Sequence, residues 1–391
     1  MFLLDAPSAP HYFTPEHDAF RAGLRDWVAR EIAPYVNEWD EACTFPRELY
    51  RKAAEIGLIG LGYPEEYGGT PSDIFYSLVS SEELARPGCG GLQSSLLSHS
   101  IGLPPILAYG SAALKARVIP PVLRGEKIAA LAVTEPGGGS DVAALKTTAR
   151  RDGDHYIVNG EKIFITSGMR ADHFTVAVRT DLDSKGPNGI SALLIDGDTP
   201  GLTRSELKKM GWWAGDTAHL RFDNCPVPVS HLIGEEHKGF KTFMTNFNGE
   251  RLGMAALAVG YAETCFTEAL DWARQRVTFG APLSERQVIR HKLMDMLRQI
   301  DSARCLIYDL AWRVQHKKAD AAQLVARTAM AKVQGTQCMQ FCADTAVQIL
   351  GGMGFMRGTK SERIYREVKV MMIGGGSEEI MKDLASRQLG I

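Results

Sequence analysis

One carboxylate in the chain, Glu250, falls on an otherwise apolar helical stripe. At 3.6 residues per turn, the residues that share its face are all apolar, namely Phe243, Phe247, Met254 and Leu257. Burial in such surroundings penalises the ionised form, so the pKa of Glu250 is expected to be raised. A carboxylate of this kind could act as a general base near neutral pH. The same residue could instead form a structural ion pair or mark a kink at Gly249.

A glycine-rich stretch, Thr134–Asp141, directly follows a predicted strand. Its consecutive glycines let the backbone approach a flat or phosphorylated ligand closely, and the hydroxyls of Thr134 and Ser140 could donate to the polar edge of that ligand. Phe164 and Thr166 end another strand two residues apart, which would place a stacking ring and a hydroxyl on one face. Each segment also has a simpler interpretation: a hairpin turn for the first and an ordinary half-buried strand for the second.

Three segments in the last third of the chain carry further polar or glycine-rich patterns. Arg276–Gly280 offers a guanidinium and a hydroxyl suited to a pyrophosphate. Gln348–Phe355 is a glycine-rich loop, and Ile373–Glu379 is another that opens a helix, where unpaired N–H groups could bind an anion or a carbonyl oxygen. Simple turns or a solvated helix end would explain the same residues.

Several well-known site motifs are absent from the sequence. No Gly-x-Gly-x-x-Gly, Gly-Lys-Ser/Thr, His-Glu-x-x-His or Gly-x-Ser-x-Gly occurs, which argues against a Rossmann fingerprint, a P-loop, a zinc protease and a serine hydrolase. The histidines do not pair at metal-ligand spacing and the cysteines form no Cys-x-x-Cys, so we expect no metal site and reduced, buried thiols. A bound dinucleotide would have to be held in another way.

Hydrophobic periodicity divides the chain into three parts and predicts an α+β fold. Residues 1–127 are predicted to be helical, with Thr14 as the first N-cap. Residues 128–238 contain short apolar stretches separated by the turn pairs Asp152–Gly153 and Asn159–Gly160, which predicts an antiparallel β domain. Residues 239–391 predict a four-helix bundle. Its helices are expected over 240–275, 284–316, 320–350 and 377–388.

The composition is that of an ordinary globular protein and excludes several functions. The chain has 391 residues, with 44 Lys+Arg against 46 Asp+Glu and a formal net charge of −2. Without a basic excess we expect no nucleic-acid binding. The apolar runs fall far short of the roughly 18 residues needed to cross a bilayer, and the N-terminus has neither a signal-peptide nor a transit-peptide pattern. We therefore expect a cytoplasmic protein without a membrane span.

Taken together, these motifs resemble those of the acyl-CoA dehydrogenase family over nearly the whole chain. The matching segments stand in the family's order and are Ala132–Asp141, Phe164–Thr166, Arg276–Gly280, Gln348–Gly352 and Gly374–Ser377. The resemblance implies a helical, β and helical fold, non-covalent FAD, an acyl-CoA substrate and a homotetramer. It also implies dehydrogenation of a saturated acyl-CoA to a trans-2-enoyl-CoA, with electrons passed to an electron-transfer flavoprotein.

The resemblance also implies roles for residues by their position. Residues implied to hold FAD are Leu131, Val133, Thr134, Gly139, Ser140, Phe164, Ile165, Thr166, Arg276, Thr278, Phe279, Gln287, Gln348, Ile349, Gly351, Gly352, Ser377 and Glu379. Thr134 would bond the pyrimidine edge of the flavin and Phe164 would lie against its face. The diphosphate and adenosine would be contacted by Arg276, Gln287 and Gln348–Gly352, partly from a neighbouring subunit, and the cofactor would be covered by Ser377 and Glu379. Residues implied to face the substrate are Ser140, Asn248, Arg251 and Gly376.

One position departs from the pattern of many family members. Gly375 stands where they carry a catalytic glutamate, whereas long-chain and isovaleryl-CoA dehydrogenases carry the base on the first bundle helix, where this chain has Glu250. Gly375 would then donate its backbone N–H to the thioester carbonyl, and its missing side chain is expected to leave room for medium, long or branched acyl groups. The alternatives are a flavin-dependent monooxygenase or oxidase on this scaffold, or a flavin-binding protein without activity.

Overall fold

The N-terminal part of the protein is helical, as predicted. The structure, a computed structural model, describes residues 11–318 and 320–391, apart from the side chains of residues 245–248. The first helix begins after its predicted cap, where the Thr14 N–H donates to Nδ1 of His17 over 2.9 Å. The helices of this part are α1 (Pro15–Glu31), α2 (Val36–Glu41), α3 (Glu48–Glu55), α4 (Ile74–Ala85), α5 (Gly90–Leu96), α6 (His99–Gly102), α7 (Pro104–Tyr109) and α8 (Ala112–Leu123).

The middle part is a single β-sheet. Its strands are β1 (Ala129–Ala132), β2 (Thr148–Asp152), β3 (His155–Thr166), β4 (His173–Arg179), β5 (Ile190–Asp196), β6 (Leu202–Glu206), β7 (Thr217–Pro228) and β8 (Leu232–Ile233). They are ordered β6-β7-β3-β2-β4-β5-β8, with β1 beside β4. Neighbours are antiparallel, as predicted, except that β1 and β2 pair with β4 in parallel. The parallel pairing of β1 with β4 is possible because the long connection through the β2–β3 hairpin returns the chain.

The turn predicted at Asn159–Gly160 is wrong, although the turn at Asp152–Gly153 is confirmed. β3 continues through Asn159 and Gly160, and its register against β7 shifts at this point. Gly160 has φ +143°, and a Cβ there would lie 2.7 Å from the Cα of Thr147. A glycine in a strand can serve a bulge and a close backbone approach as well as a turn, so the dipeptide alone does not discriminate between them.

The C-terminal part consists of helices of very different lengths. They are α9 (Gly239–Gln275), α10 (Gln287–Gln315), α11 (Ala321–Leu350), α12 (Gly352–Phe355), α13 (Lys360–Ile373) and α14 (Glu378–Leu389), with the small hairpin β9 (Val277–Thr278) and β10 (Ala281–Pro282) after α9. α11 packs against α9, α10, α13 and α14 and so occupies the centre of the bundle. Within the described residues, no helix combines the length and the apolar character required to cross a bilayer.

Helix α13 is an element that sequence reasoning missed. Glycine-rich segments flank it on both sides, and the residues between them were assigned to no predicted element. A local signal was present, because Thr359 and Glu362 form the Thr-x-x-Glu pattern that is typical of a helix start. The Thr359 hydroxyl oxygen accepts a hydrogen bond from the Glu362 N–H over 3.3 Å.

Glu367 on α13 links the three parts of the chain. Its carboxylate oxygens accept hydrogen bonds from the Gly90 N–H at the start of α5, over 2.8 Å, and from the Trp212 N–H between β6 and β7, over 3.2 Å. Burial raises the pKa of Glu367 to about 7, against the opposing effect of the Gly90 N–H. Because α13 leads directly into the loop before α14, these hydrogen bonds hold the helix from which that loop starts.

We predict that Glu367→Gln changes how stability depends on pH. The ordinary pKa of this carboxyl group is 4.5 and its pKa in the fold is about 7. Between these values the native state holds a proton that the unfolded state has lost, so the stability of the wild type falls as pH rises. Glutamine cannot ionise, so the variant does not lose stability in this way. Between about pH 5 and pH 8, the free energy of unfolding from thermal melts should shift in favour of the variant, relative to the wild type, by about 3 kcal/mol.

The control for this prediction is Glu55→Gln, which changes an exposed glutamate at the end of α3. This variant should follow the wild type across the same pH range. A constant offset between Glu367→Gln and the wild type, with no dependence on pH, would contradict the prediction.

Candidate active site

The loop between α13 and α14, residues 374–376, lies against α9. Nε of Arg251 donates to the Gly375 carbonyl oxygen over 3.1 Å. Gly375 has φ +67°, and a Cβ at this position would lie 2.7 Å from the Met254 sulfur. The loop therefore contacts α9 one and four residues after Glu250. Four predicted site residues come together here, namely Glu250, Arg251, Gly375 and Gly376.

Glu250 lies where the apolar stripe of α9 becomes partly accessible. On this stripe Phe243 and Leu257 are buried, while Met254 and Glu250 are half-buried. Burial lowers the pKa of Arg251, and the negative charge of Glu250 opposes that shift. The carboxylate and the guanidinium therefore interact electrostatically beside the 374–376 loop.

The room expected beside Gly375 is not present, because the thioether of Met254 fills it. The reason is helix geometry: Met254 lies four residues after Glu250 and so projects from the same face. A methionine side chain is unbranched and flexible, so this volume is adjustable. Asn248, which was predicted to face the substrate, and Phe247 lie outside the described side chains.

The glycine-rich segment after β1 is anchored to β3. The Ile163 N–H donates to the Thr134 carbonyl oxygen over 2.9 Å, and the Lys162 ammonium group donates to the Val133 carbonyl oxygen over 3.0 Å. Thr134 is half-buried and Glu135 is buried, and beyond Glu135 the loop opens to solvent. Its exposed residues include Gly137, Gly139 and Ser140. A Cβ at Gly137 would meet no atom within 4 Å, so a ligand could approach this backbone closely.

A buried ion pair supports the start of the same loop. Lys162 is fully buried and donates to Oε1 of Glu135 over 2.8 Å, and Glu135 also accepts the N–H groups of Lys146 and Thr147 at 2.6 and 2.9 Å. Burial lowers the pKa of Lys162 to about 8, against the opposing charge of Glu135. Burial alone would raise the pKa of Glu135, but the charge of Lys162 and the hydrogen bonds hold it below its ordinary value. Sequence reasoning missed this pair, because Lys162 directly follows another charged residue, Glu161, and lies 27 positions from its partner Glu135.

Phe164 presents an uncovered aromatic ring near this loop. Its side chain is 66% exposed and its φ is +62°, because β3 has a second irregularity just before Ile165. The simple alternation expected for Phe164 and Thr166 is therefore broken, although Thr166 is also partly accessible. Leu131 is half-buried, and Val133 and Ile165 are buried in the core, so the two buried residues could meet a ligand only through their backbone.

The hairpin after α9 carries another group of predicted cofactor contacts. Phe279 at its tip is 99% exposed, and the Arg286 guanidinium donates to the Thr278 carbonyl oxygen over 2.7 Å. Arg276 before the hairpin and Gln287 at the start of α10 are exposed. Within residues 11–318 and 320–391, no hydrogen bond joins this hairpin to the glycine-rich loop after β1.

The ends of α11 and α14 hold the remaining predicted residues. Gln348, Gly351 and Gly352 are exposed, whereas the Ile349 side chain is buried in the bundle. Ser377 caps α14, where its hydroxyl oxygen accepts from the Ile380 N–H over 3.4 Å. Glu379 is exposed in the first turn of that helix.

One buried cluster has ligand types that could suit a metal ion. Among the described residues, Asp40, Cys89 and Glu367 bring their ligand atoms within 4.8 Å of one another. The Arg366 guanidinium donates to Asp40 over 2.8 Å, so a cationic side chain already neutralises this carboxylate. We assign no metal to the cluster.

The three parts of the sequence match three models of one family. They are the acyl-CoA dehydrogenase N-terminal domain over residues 14–126, the middle domain over residues 130–225 and the C-terminal domain over residues 237–390. The chain belongs to the acyl-CoA dehydrogenase family. It is accordingly an oxidoreductase, and FAD is the cofactor of the family.

Named relatives are similar to this chain along most of their length. The mitochondrial long-chain specific acyl-CoA dehydrogenase of Rattus norvegicus is 36% identical over 379 residues, which cover 96% of this chain and 87% of that protein. A 3-(aryl)acrylate reductase of Clostridium sporogenes is 35% identical over 381 residues, 97% of this chain and 99% of that protein. The crystal structure of an acyl-CoA dehydrogenase from Geobacillus kaustophilus has a TM-score of 0.93 at 38% identity and covers 97% of this chain and 99% of that chain. The predicted fold class is confirmed.

We predict that Lys162→Met destabilises the protein by about 3 to 5 kcal/mol, because the variant leaves the Glu135 carboxylate buried without its cation. The double variant Lys162→Met/Glu135→Gln should lose less stability than Lys162→Met, since it removes both charges together. Chemical denaturation of the three proteins measures the difference. A double variant that is less stable than Lys162→Met would contradict the role of the ion pair.

Proposed function

We propose that the protein removes hydrogen from C2 and C3 of a saturated acyl-CoA, with FAD as the oxidant and Glu250 as the base. The contact between the 374–376 loop and α9 carries this proposal. The Arg251–Gly375 hydrogen bond and the position of Met254 hold the loop backbone beside the turn that bears Glu250. A backbone donor and a carboxylate are thus available to the same small region of a substrate.

In this scheme the chain performs two tasks at the reacting carbons. The Gly375 N–H donates to the thioester carbonyl oxygen and stabilises the negative charge that develops there. Glu250 removes a proton from C2, which that polarisation has made more acidic. FAD held by the loop after β1 and the end of β3 would supply the acceptor for the hydride that leaves C3. The product is a trans-2-enoyl-CoA.

We propose that the loop after β1 and the end of β3 hold the flavin ring. The exposed ring of Phe164 offers a face for stacking, and Thr134 offers a hydroxyl at the polar edge. The open backbone up to Ser140 suits the close approach of a flat ligand. This donor set and the uncovered aromatic ring fit FAD.

We assign the diphosphate and adenosine of FAD to the β9–β10 hairpin, to Gln287 and to the end of α11. The fully exposed Phe279 and the 87% exposed Phe355 support a second subunit that covers them. As the resemblance to the family implies, we propose a homotetramer in which neighbouring subunits share the cofactor sites.

The physiological substrate is proposed to be a medium, long or branched acyl-CoA, and the electron acceptor an electron-transfer flavoprotein. Glu250 stands where long-chain and isovaleryl-CoA dehydrogenases carry their base, and this position supports the proposed range. The flexible Met254 supports adaptation of the site to a branch near the reacting carbons. The cytoplasmic location stays a prediction from the sequence.

We predict that Glu250→Gln blocks reduction of the flavin by acyl-CoA while FAD stays bound. Glutamine has nearly the same size as glutamate but cannot take up the proton, so the rate should fall about a hundredfold to ten-thousandfold. The measurement is an anaerobic titration of the holoprotein with straight and methyl-branched saturated acyl-CoAs, followed by the loss of flavin absorbance. The matched control is Glu263→Gln on the same helix, where Glu263 pairs with Arg304, and it should be reduced like the wild type.

The outcomes of this experiment separate the alternatives. Normal reduction of Glu250→Gln would exclude Glu250 as the base. A wild-type flavin that no acyl-CoA bleaches would remove the dehydrogenase proposal and favour a flavin-binding protein without activity. When air is admitted after the anaerobic titration, rapid reoxidation of the reduced flavin would favour an oxidase or a monooxygenase on the same scaffold.

We predict that Gly375→Ala lowers kcat at least about tenfold without loss of FAD. A left-handed backbone costs an alanine about 1 to 2 kcal/mol, and the new Cβ meets Met254. The double variant Gly375→Ala/Met254→Ala should recover only the steric part of the loss. Turnover with an artificial electron acceptor gives kcat. Gly23→Ala, at an uncrowded helical position on α1, is the control, and a Gly375→Ala enzyme as fast as this control would contradict the role of the loop.

A further inference from the structure

Lys332 is a fully buried lysine whose ammonium group binds the loop of the proposed site. It lies on α11, and its Nζ donates to the Met372 carbonyl oxygen over 3.0 Å and to the Gly376 carbonyl oxygen over 2.7 Å. These carbonyl groups lie on either side of Gly375, one near the end of α13 and the other just before α14. The ammonium group therefore joins the two ends of the 374–376 loop.

Helices α9 and α11 hold this loop from two directions. Gly335, three residues after Lys332, lies so close to α9 that a Cβ there would be 2.9 Å from the Ala255 carbonyl oxygen. The two helices thus touch just beyond the turn that carries Glu250. From α9 the Arg251 guanidinium donates to the Gly375 carbonyl oxygen, and from α11 the Lys332 ammonium group donates to the Gly376 carbonyl oxygen. Successive carbonyl groups each accept a hydrogen bond from a cation.

The charge of Lys332 is buried at an energetic cost. Burial lowers its pKa to about 8, the carboxylate of Glu378 at the start of α14 opposes that shift, and Arg251 on α9 adds to it. On α13, the one group among the described residues to which the ammonium group donates is the Met372 carbonyl oxygen. An apolar side chain would avoid the cost of desolvation, so the benefit of a lysine must come from what it binds.

We propose that Lys332 is a positioning residue, which holds the loop so that the Gly375 N–H stays next to Glu250. The inference rests on the proposed function, because loop position matters to the reaction only if these two groups act on one substrate. The ordering of the loop by Lys332 does not depend on the proposed function. Charge-assisted hydrogen bonds from the ammonium group restrict the backbone whether or not a substrate is turned over, so loop order and turnover can be measured separately.

The main test compares Lys332→Met with the wild type and with Lys382→Met. Lys382 is an exposed lysine on α14 that pairs with Glu378, so its variant removes a nearby charge without touching the loop carbonyls. In Lys332→Met the amides of residues 372–378 should exchange with deuterium about tenfold faster or more, and kcat should fall about tenfold to a hundredfold with little change in KM. Lys382→Met should match the wild type in both measurements. Unaltered exchange and kcat in a folded Lys332→Met protein would overturn the proposal.

A second measurement needs only the wild type and therefore does not depend on a variant that folds. If the charged amine orders the loop, the protection of residues 372–378, corrected for the intrinsic exchange rate, should fall as pH rises through about 8. The neutral amine is the weaker donor, so the loop is held less firmly above that pH. Protection in α1 should stay constant over the same range. Constant protection of the loop from about pH 7 to pH 9 would overturn the proposal.

Failure of this inference differs from failure of the proposed function. If no acyl-CoA reduces the wild-type flavin, the proposed function is wrong, and the exchange data alone decide whether Lys332 orders the loop. If the wild type is reduced normally while Lys332→Met keeps its kcat and its loop protection, only the role of Lys332 is wrong.

Discussion

The hydrogen bond from Arg251 to the Gly375 carbonyl oxygen is the interaction on which the proposed site depends, because it holds a three-glycine loop against one turn of α9. The φ values of Gly375 and Gly376, +67° and +112°, let the backbone turn beside Met254 and Met381, where any Cβ would collide. With glycine at 375 the loop can contribute only backbone groups, and the carboxylate comes from the helix. A rigid helix fixes such a side chain more firmly than a loop does.

Two of the three glycine-rich segments, the loop after β1 and the loop before α14, are supported in the same way. Lys162 beneath the loop after β1 and Lys332 beneath the loop before α14 are both fully buried, and each donates to a loop carbonyl group. Burial lowers the pKa of each to about 8. Glycine segments have few side chains of their own to pack, so their position must be set by hydrogen bonds to the backbone from neighbouring elements. An ammonium group with three donors meets this requirement.

Patterns that repeat over several turns predict the long elements of this fold, and isolated signals do not. The periodicity of α9 and α11 is sufficient to locate both helices, whereas Asn159–Gly160 suits a bulge as well as a turn. Glu250 can be singled out from its own stripe because the relevant neighbours are local. The contact of α9 with the loop joins residues 124 positions apart, and Lys332 reaches a partner 44 positions away. No local pattern encodes such pairs, so the supporting lysines can be recognised only in the folded chain. The roles proposed for the exposed residues come from the resemblance to a family.

The flexible thioether of Met254 lines the proposed site beside Gly375. Met254 has three rotatable bonds beyond its Cα, and its sulfur rather than a rigid ring or the backbone fills the volume next to the loop. A change of rotamer would open a recess for a methyl substituent without displacing the carboxylate or the backbone donor. Selectivity among acyl groups could then be retuned by exchanging this one residue, while the groups that perform the chemistry stay as they are.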